Sequence, residues 1–135
     1  MSEHEAAALE NEAVRRVLVV DDDPDVASVL VAMLTALGHD ASSVAGATEA
    51  IRVLPRVDPD LVITDLVMPD GEGMELLTHL WRSRRGKRPA VIAMSGNATG
   101  VRFLRASELL GACATLRKPF GPEELRDAVA SAVVQ

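Results

Sequence analysis

Four short apolar runs in this chain each end in polar groups, and helix-patterned stretches separate them. Val17-Leu18-Val19-Val20 runs into Asp21-Asp22-Asp23, and Leu61-Val62-Ile63-Thr64 runs into Asp65. Ala90-Val91-Ile92-Ala93-Met94 runs into Ser95-Gly96, and Ala114-Thr115-Leu116-Arg117 into Lys118-Pro119-Phe120. Short, nearly continuous runs rich in Val, Ile and Leu suit strands buried on both faces. Strands that alternate with helices pack as a parallel sheet covered by helices on both sides. Right-handed crossovers then restrict the order of the strands. In an open sheet of this kind the carboxyl ends of the strands share one edge, where ligands bind. Three carboxylates, a hydroxyl and an ammonium are therefore expected to meet at one spot, a set suited to a divalent cation and a phosphoryl group.

The intervening segments supply the helices. Val26, Val29, Leu30, Met33, Leu34 and Leu37 recur at i, i+3, i+4, i+7, i+8 and i+11, one face of an amphipathic helix. Asp23-Pro24 suits its start, with the Asp as cap and the Pro in the first turn, and Gly38 suits its end. Residues 39–44 read as a weak second strand. Residues 48–54 read as a short helix stopped by Pro55. Met74, Leu77, Leu80 and Trp81 mark a third helix, and residues 101–110 a fourth, closed by Gly111. The last helix spans residues 122–133, with Gly121 as cap and Glu123 and Glu124 in its positive first turn. Leu125, Val129 and Val133 give its inward face. Residues 1–14, with Glu3, Glu5, Glu10 and Glu12 among alanines, read as an acidic tail, leaving residues 15–135 as one domain.

Composition narrows the function classes. The chain has 135 residues, enough for one domain with a core, and 48% of them are hydrophobic. Aromatics make up only 2%, so Val, Leu, Ile, Ala and Met must build that core. No apolar run approaches the roughly 20 residues needed to cross a bilayer, so no membrane insertion is expected. A polar, acidic start argues against a secretory signal, and the single cysteine, Cys113, suits a cytoplasmic setting. The net charge of -6 disfavours direct nucleic-acid binding.

The chemistry follows from the acids. Adjacent Asp21 and Asp22 repel each other unless a cation or a buried proton relieves them. Mg²⁺ takes hard oxygen ligands and keeps several waters, and Asp65, on a neighbouring strand, completes the cluster. Asp65 is also a candidate nucleophile, since a carboxylate accepts a phosphoryl group as an acyl phosphate. Lys118 and the metal would share the charge on its oxygens, Ser95 would donate a hydrogen bond, and Gly96 would leave room beside it.

These motifs, Val17 to Asp25, Pro59 to Pro69, Met94-Ser95-Gly96 and Arg117-Lys118-Pro119-Phe120, resemble the response-regulator receiver domain of two-component signalling. The resemblance covers residues 15–135. It implies a flavodoxin-like, five-stranded parallel sheet of order 2-1-3-4-5. It makes Asp65 the phosphoacceptor. Asp22 would ligate Mg²⁺ directly, Asp21 directly or through water, and Val67 through its backbone carbonyl. Ser95 would be the hydroxyl that swings toward the phosphoryl group, and Lys118 would pair with that group. The Lys118-Pro119 bond is expected to be cis, and Gly73 matches the glycine that begins the third helix. The implied partners are a histidine kinase or histidine phosphotransfer protein and a downstream protein target, met through the face of the fourth helix, fifth strand and last helix. No separate substrate turnover is expected. Because the chain stops soon after Phe120, a stand-alone receiver is the expectation.

Departures from the family pattern carry their own expectations. Thr115 stands three positions before the lysine, where the family usually has an aromatic switch residue; the chain has no tyrosine, and Ser95 and Thr115 are the expected switch residues, Thr115 with a smaller, polar response. Cys113-Ala114 replaces an acidic pair that one DNA-binding subfamily uses to dimerise. Val67 is apolar where some receivers guide a hydrolytic water, so slow loss of the phosphoryl group is expected, with Asn97 in partial compensation. His4, His39 and His79 have no metal-ligand spacing. Arg82, Arg84, Arg85, Lys87 and Arg88 read as a solvated basic loop, and Cys113, Phe103 and Phe120 as packing residues. Two other classes compete. One is a small Mg²⁺-dependent aspartyl phosphatase of haloacid-dehalogenase type, from the Asp-x-Asp in Asp21-Asp22-Asp23. The other is a scaffold that works without phosphorylation.

Overall fold

The computed structural model describes residues 15–67, 73–82, 89–96, 105, 107–108 and 111–133. The acidic tail, Phe103, His4, Asn97 and most of the predicted fourth helix and basic loop lie outside them. Strands β1 (Arg16–Val20), β2 (Asp40–Val44), β3 (Leu61–Asp65), β4 (Ala90–Ser95) and β5 (Ala114–Arg117) form a five-stranded sheet in the order β2-β1-β3-β4-β5. All four neighbouring pairs are parallel. The helices described in full are α1 (Pro24–Ala36), α2 (Ala47–Val57), α3 (Gly73–Arg82) and α4 (Pro122–Val133). Arg105, Ser107 and Glu108 are also helical. Gly111, at φ 97°, donates to Glu108, and Ala112 donates to Ser107, which closes that helix where the sequence predicts.

Alternation along each strand sends side chains to opposite faces. Val17, Val19, Ile63, Ile92 and Leu116 pack with Leu30 and Leu34 of α1 and with Leu125 and Val129 of α4. Leu18, Val20, Val62, Val91 and Ala93 pack on the other face, against α2 and α3. Each fully buried Val or Leu contributes on the order of 1.5–3 kcal/mol, and these two layers hold the strand ends in line.

The caps of α1 follow from its sequence. Asp23 Oδ1 accepts the amides of Asp25 and Val26 at 3.0 and 3.4 Å. At the other end Gly38, at φ 92°, donates to Thr35, and His39 donates to Leu34. That pair of bonds needs a left-handed residue, which glycine supplies without strain.

Several elements differ from the sequence reading. The buried stripe of α1 is Ala27, Leu30 and Leu34, while Val29 is 55% exposed. Val29 lies one residue, about 100° of rotation, from that stripe. Pro55 does not stop α2, which runs on to Val57 and ends at Asp58 in a left-handed conformation of φ 47°. Ile51, Leu54 and Val57 pack against the core and hold the last turn, so the amide that Pro55 lacks is lost from an exposed surface. Finally, β3 and β4 each extend one residue further than predicted, so Asp65 and Ser95 lie on the strands themselves.

Candidate phosphoacceptor site

Strand register aligns the carboxyl edge. Val20 stands opposite Thr64, Asp65 opposite Met94, and Ser95 opposite Arg117. Asp21 follows β1 and Lys118 follows β5, so the polar residue after each apolar run arrives at the same level. Backbone bonds from Asp21 to Val44 and from Lys118 to Ser95 continue the alignment past the strands.

Asp21 is 2% exposed and Asp65 9%. Each carboxylate is first oriented by its own turn: Asp21 Oδ1 accepts the Asp23 amide at 2.9 Å, and Asp65 Oδ1 accepts the Val67 amide at 3.2 Å. Short acidic side chains that bond two residues ahead are a common turn device. The remaining oxygens converge on Lys118, whose Nζ donates to Asp21 Oδ2 at 2.7 Å and to Asp65 Oδ2 at 2.9 Å. Burial alone would lower the Lys118 pKa. The hydrogen bonds to Asp21 and Asp65, with the charges of both acids, outweigh it and hold the ammonium above its ordinary 10.5.

Asp22 is exposed and lies beside this pair. Asp21, Asp22 and Asp65 each offer one oxygen, all within 4.8 Å of one another. Three formal negative charges against the one positive charge of Lys118 leave an excess of two, the charge of a divalent cation. The donor set is all oxygen and open to water on the Asp22 side, and both properties fit a small hard ion.

Ser95 is 1% exposed, and its Oγ has no hydrogen-bond partner among the described residues. An orphaned buried hydroxyl costs on the order of 1–3 kcal/mol. Next to it, a side chain on Gly96 would put its Cβ 3.2 Å from Lys118 Cβ, so glycine is what lets the lysine pass so close. The Lys118-Pro119 peptide bond is cis. Thr115 is half-buried opposite Ala93. Gly73 begins α3. Cys113 and Phe120 are half-buried against the core, where packing residues are expected. Sequence reasoning missed the direct contact of Lys118 with Asp21, because the two are 97 residues apart and nothing local to either marks the other.

The family model for the response regulator receiver domain matches residues 17–130. The chain belongs to that family. This decides between the receiver and the phosphatase readings of the Asp-x-Asp motif, in favour of the receiver of two-component signalling. The receiver is 36% identical over 117 residues to the DNA-binding transcriptional regulator NtrC of Azospirillum brasilense, covering 87% of this chain and 24% of NtrC. The chain thus spans about a quarter of the length of that relative. A sensor protein from Polaromonas is 31% identical, with a TM-score of 0.78 over 87% of this chain and 94% of that one. A response regulator from Chloroflexus aurantiacus superposes at a TM-score of 0.83, with 26% identity, over 91% of this receiver and 100% of that chain. Among the described residues, no helix is long and apolar enough to cross a membrane.

Proposed function

We propose that Asp65 accepts a phosphoryl group from a phosphohistidine on a kinase or phosphotransfer protein. The observation that carries this is the pairing of one ammonium with two buried acids beside a hydroxyl that has no partner among the described residues. In the transfer, an Asp65 oxygen forms a bond to phosphorus and the bond from phosphorus to the histidine nitrogen breaks. Lys118, already 2.9 Å from Asp65, compensates charge on the incoming oxygens. Ser95, whose hydroxyl has no partner among the described residues, supplies a hydrogen bond to the transferred group. Asp21, Asp22, Asp65 and the Val67 carbonyl would hold Mg²⁺, which when bound supplies charge neutralisation for the transferred group. The change then passes to a downstream protein partner, and the apolar Val67 leaves loss of the phosphoryl group slow. Residues 15–135 act as the receiver unit, with residues 1–14 as its tail.

Incubation with acetyl phosphate and Mg²⁺, followed by mass analysis, is expected to show one added phosphoryl group, absent in Asp65→Asn. Uptake that persists in Asp65→Asn, or that does not depend on Mg²⁺, overturns the assignment.

A further inference from the structure

The opposite edge of the sheet holds a buried histidine that the phosphoacceptor chemistry does not use. His39 follows α1, its amide donating to the Leu34 carbonyl at 3.0 Å, and it is 8% exposed. Its Nδ1 accepts the backbone amide of Arg15 at 3.1 Å. The Arg15 carbonyl in turn accepts the Asp40 amide at 2.9 Å. Two bonds therefore tie Arg15, the residue before β1, to the start of β2. One is backbone to backbone, and only the other runs through a group that titrates.

We propose that His39 is a proton-sensitive latch on the entry of the chain into β1: protonating its ring releases the Arg15 amide. A neutral imidazole accepts on one nitrogen and donates on the other, whereas an imidazolium donates on both. With Nδ1 as acceptor the proton sits on Nε2, and a second proton on Nδ1 would point at the Arg15 N–H, donor against donor. The bond breaks and the amide of half-buried Arg15 is left without its acceptor.

The surroundings set the direction of the response. Arg15 and Arg16 bring positive charge from the β1 side, and exposed Asp40 brings negative charge from β2. The last turn of α1 holds no basic residue, and its carbonyl end favours a nearby cation. Burial, and after it the Arg15 charge, prevail and lower the His39 pKa below 6.5. The latch is therefore closed at neutral pH and opens as pH falls below the ordinary histidine range. This inference is independent of the phosphoacceptor reading, because it concerns the other end of the strands.

The test is an NMR titration of the full chain from about pH 8 to about pH 5, with amide exchange measured alongside. His39 is expected to titrate below the ordinary histidine value of 6.5. The protection of the Arg15 amide, corrected for intrinsic exchange, is expected to fall about tenfold in step with it. His39→Gln keeps a side-chain acceptor without a titration, and is expected to hold Arg15 protection constant across the range. Protection that stays constant while wild-type His39 titrates overturns the proposal, as does an equal loss in His39→Gln. The wild-type titration decides the matter even if the variant fails to fold.

Discussion

The two edges of the sheet treat their polar groups in opposite ways. At the amino edge the polar groups of the described strand starts find partners. The Arg16 amide donates to Asp60 Oδ2 at 2.9 Å, its guanidinium donates to the Val57 carbonyl at 3.2 Å, and the Arg15 amide donates to His39. At the carboxyl edge two buried acids share one ammonium, and a buried hydroxyl has no partner among the described residues. Folded chains satisfy nearly all their buried polar groups. A cluster that falls short at one end of a sheet, and not at the other, marks where a further group belongs. The deficit identifies the site better than polarity does, because both edges are polar.

The largest way to sharpen this contrast is Lys118→Met. It leaves Asp21 and Asp65 buried without their counter-charge and is expected to cost about 3 kcal/mol in urea unfolding. Mg²⁺ should recover part of the loss. Asp60→Ala, at the matched edge, should cost only about 1 kcal/mol and show no Mg²⁺ recovery. Equal losses at both edges would break the comparison. A smaller effect is expected from Gly96→Ala, whose new Cβ would meet Lys118 Cβ at 3.2 Å. Displacement of the lysine should cost about 1 kcal/mol and slow phosphoryl uptake from acetyl phosphate.

Titration separates the edges further. Lys118 has a raised pKa, so its stabilisation is full below the ordinary 10.5 and is lost as pH rises through the raised value. His39 has a lowered pKa, so its stabilisation is full above 6.5 and is lost as pH falls toward the lowered value. Stability measured against pH should decline at both ends. His39→Gln should remove the part of the acid decline that lies above the carboxylate range, and Lys118→Met the alkaline part. The smallest expected effect is at Asp58, whose φ of 47° is strained for a residue with a side chain. Asp58→Gly should stabilise by less than about 1 kcal/mol, since relief of that strain is partly offset by the greater freedom of glycine when unfolded.

Much of this was legible in the chain itself, for physical reasons. β5 and α4 match their predicted bounds because charges, Gly or Pro sit directly against their apolar residues. The strand order of β2-β1-β3-β4-β5 agrees with the family resemblance. α2 outran its reading because Leu54 and Val57 find core to pack against, a tertiary gain that a local rule about Pro55 does not contain. Val29 lies outside the buried stripe because that stripe, Ala27, Leu30 and Leu34, is narrower than the apolar spacing along the helix. The union of Asp21, Asp65 and Ser95 at one edge followed from strand polarity alone. The bond from Lys118 to Asp21 did not, since β3 and β4 lie between their strands and only the reach of a long side chain joins them.

The 97-residue separation of Lys118 from Asp21 has a consequence for how the protein is made. A ribosome delivers the acids early and their ammonium late. A nascent chain halted before β5 would carry repelling carboxylates with no fixed cation among them. Assembly of the charge-matched cluster thus waits for the arrival of the final strand.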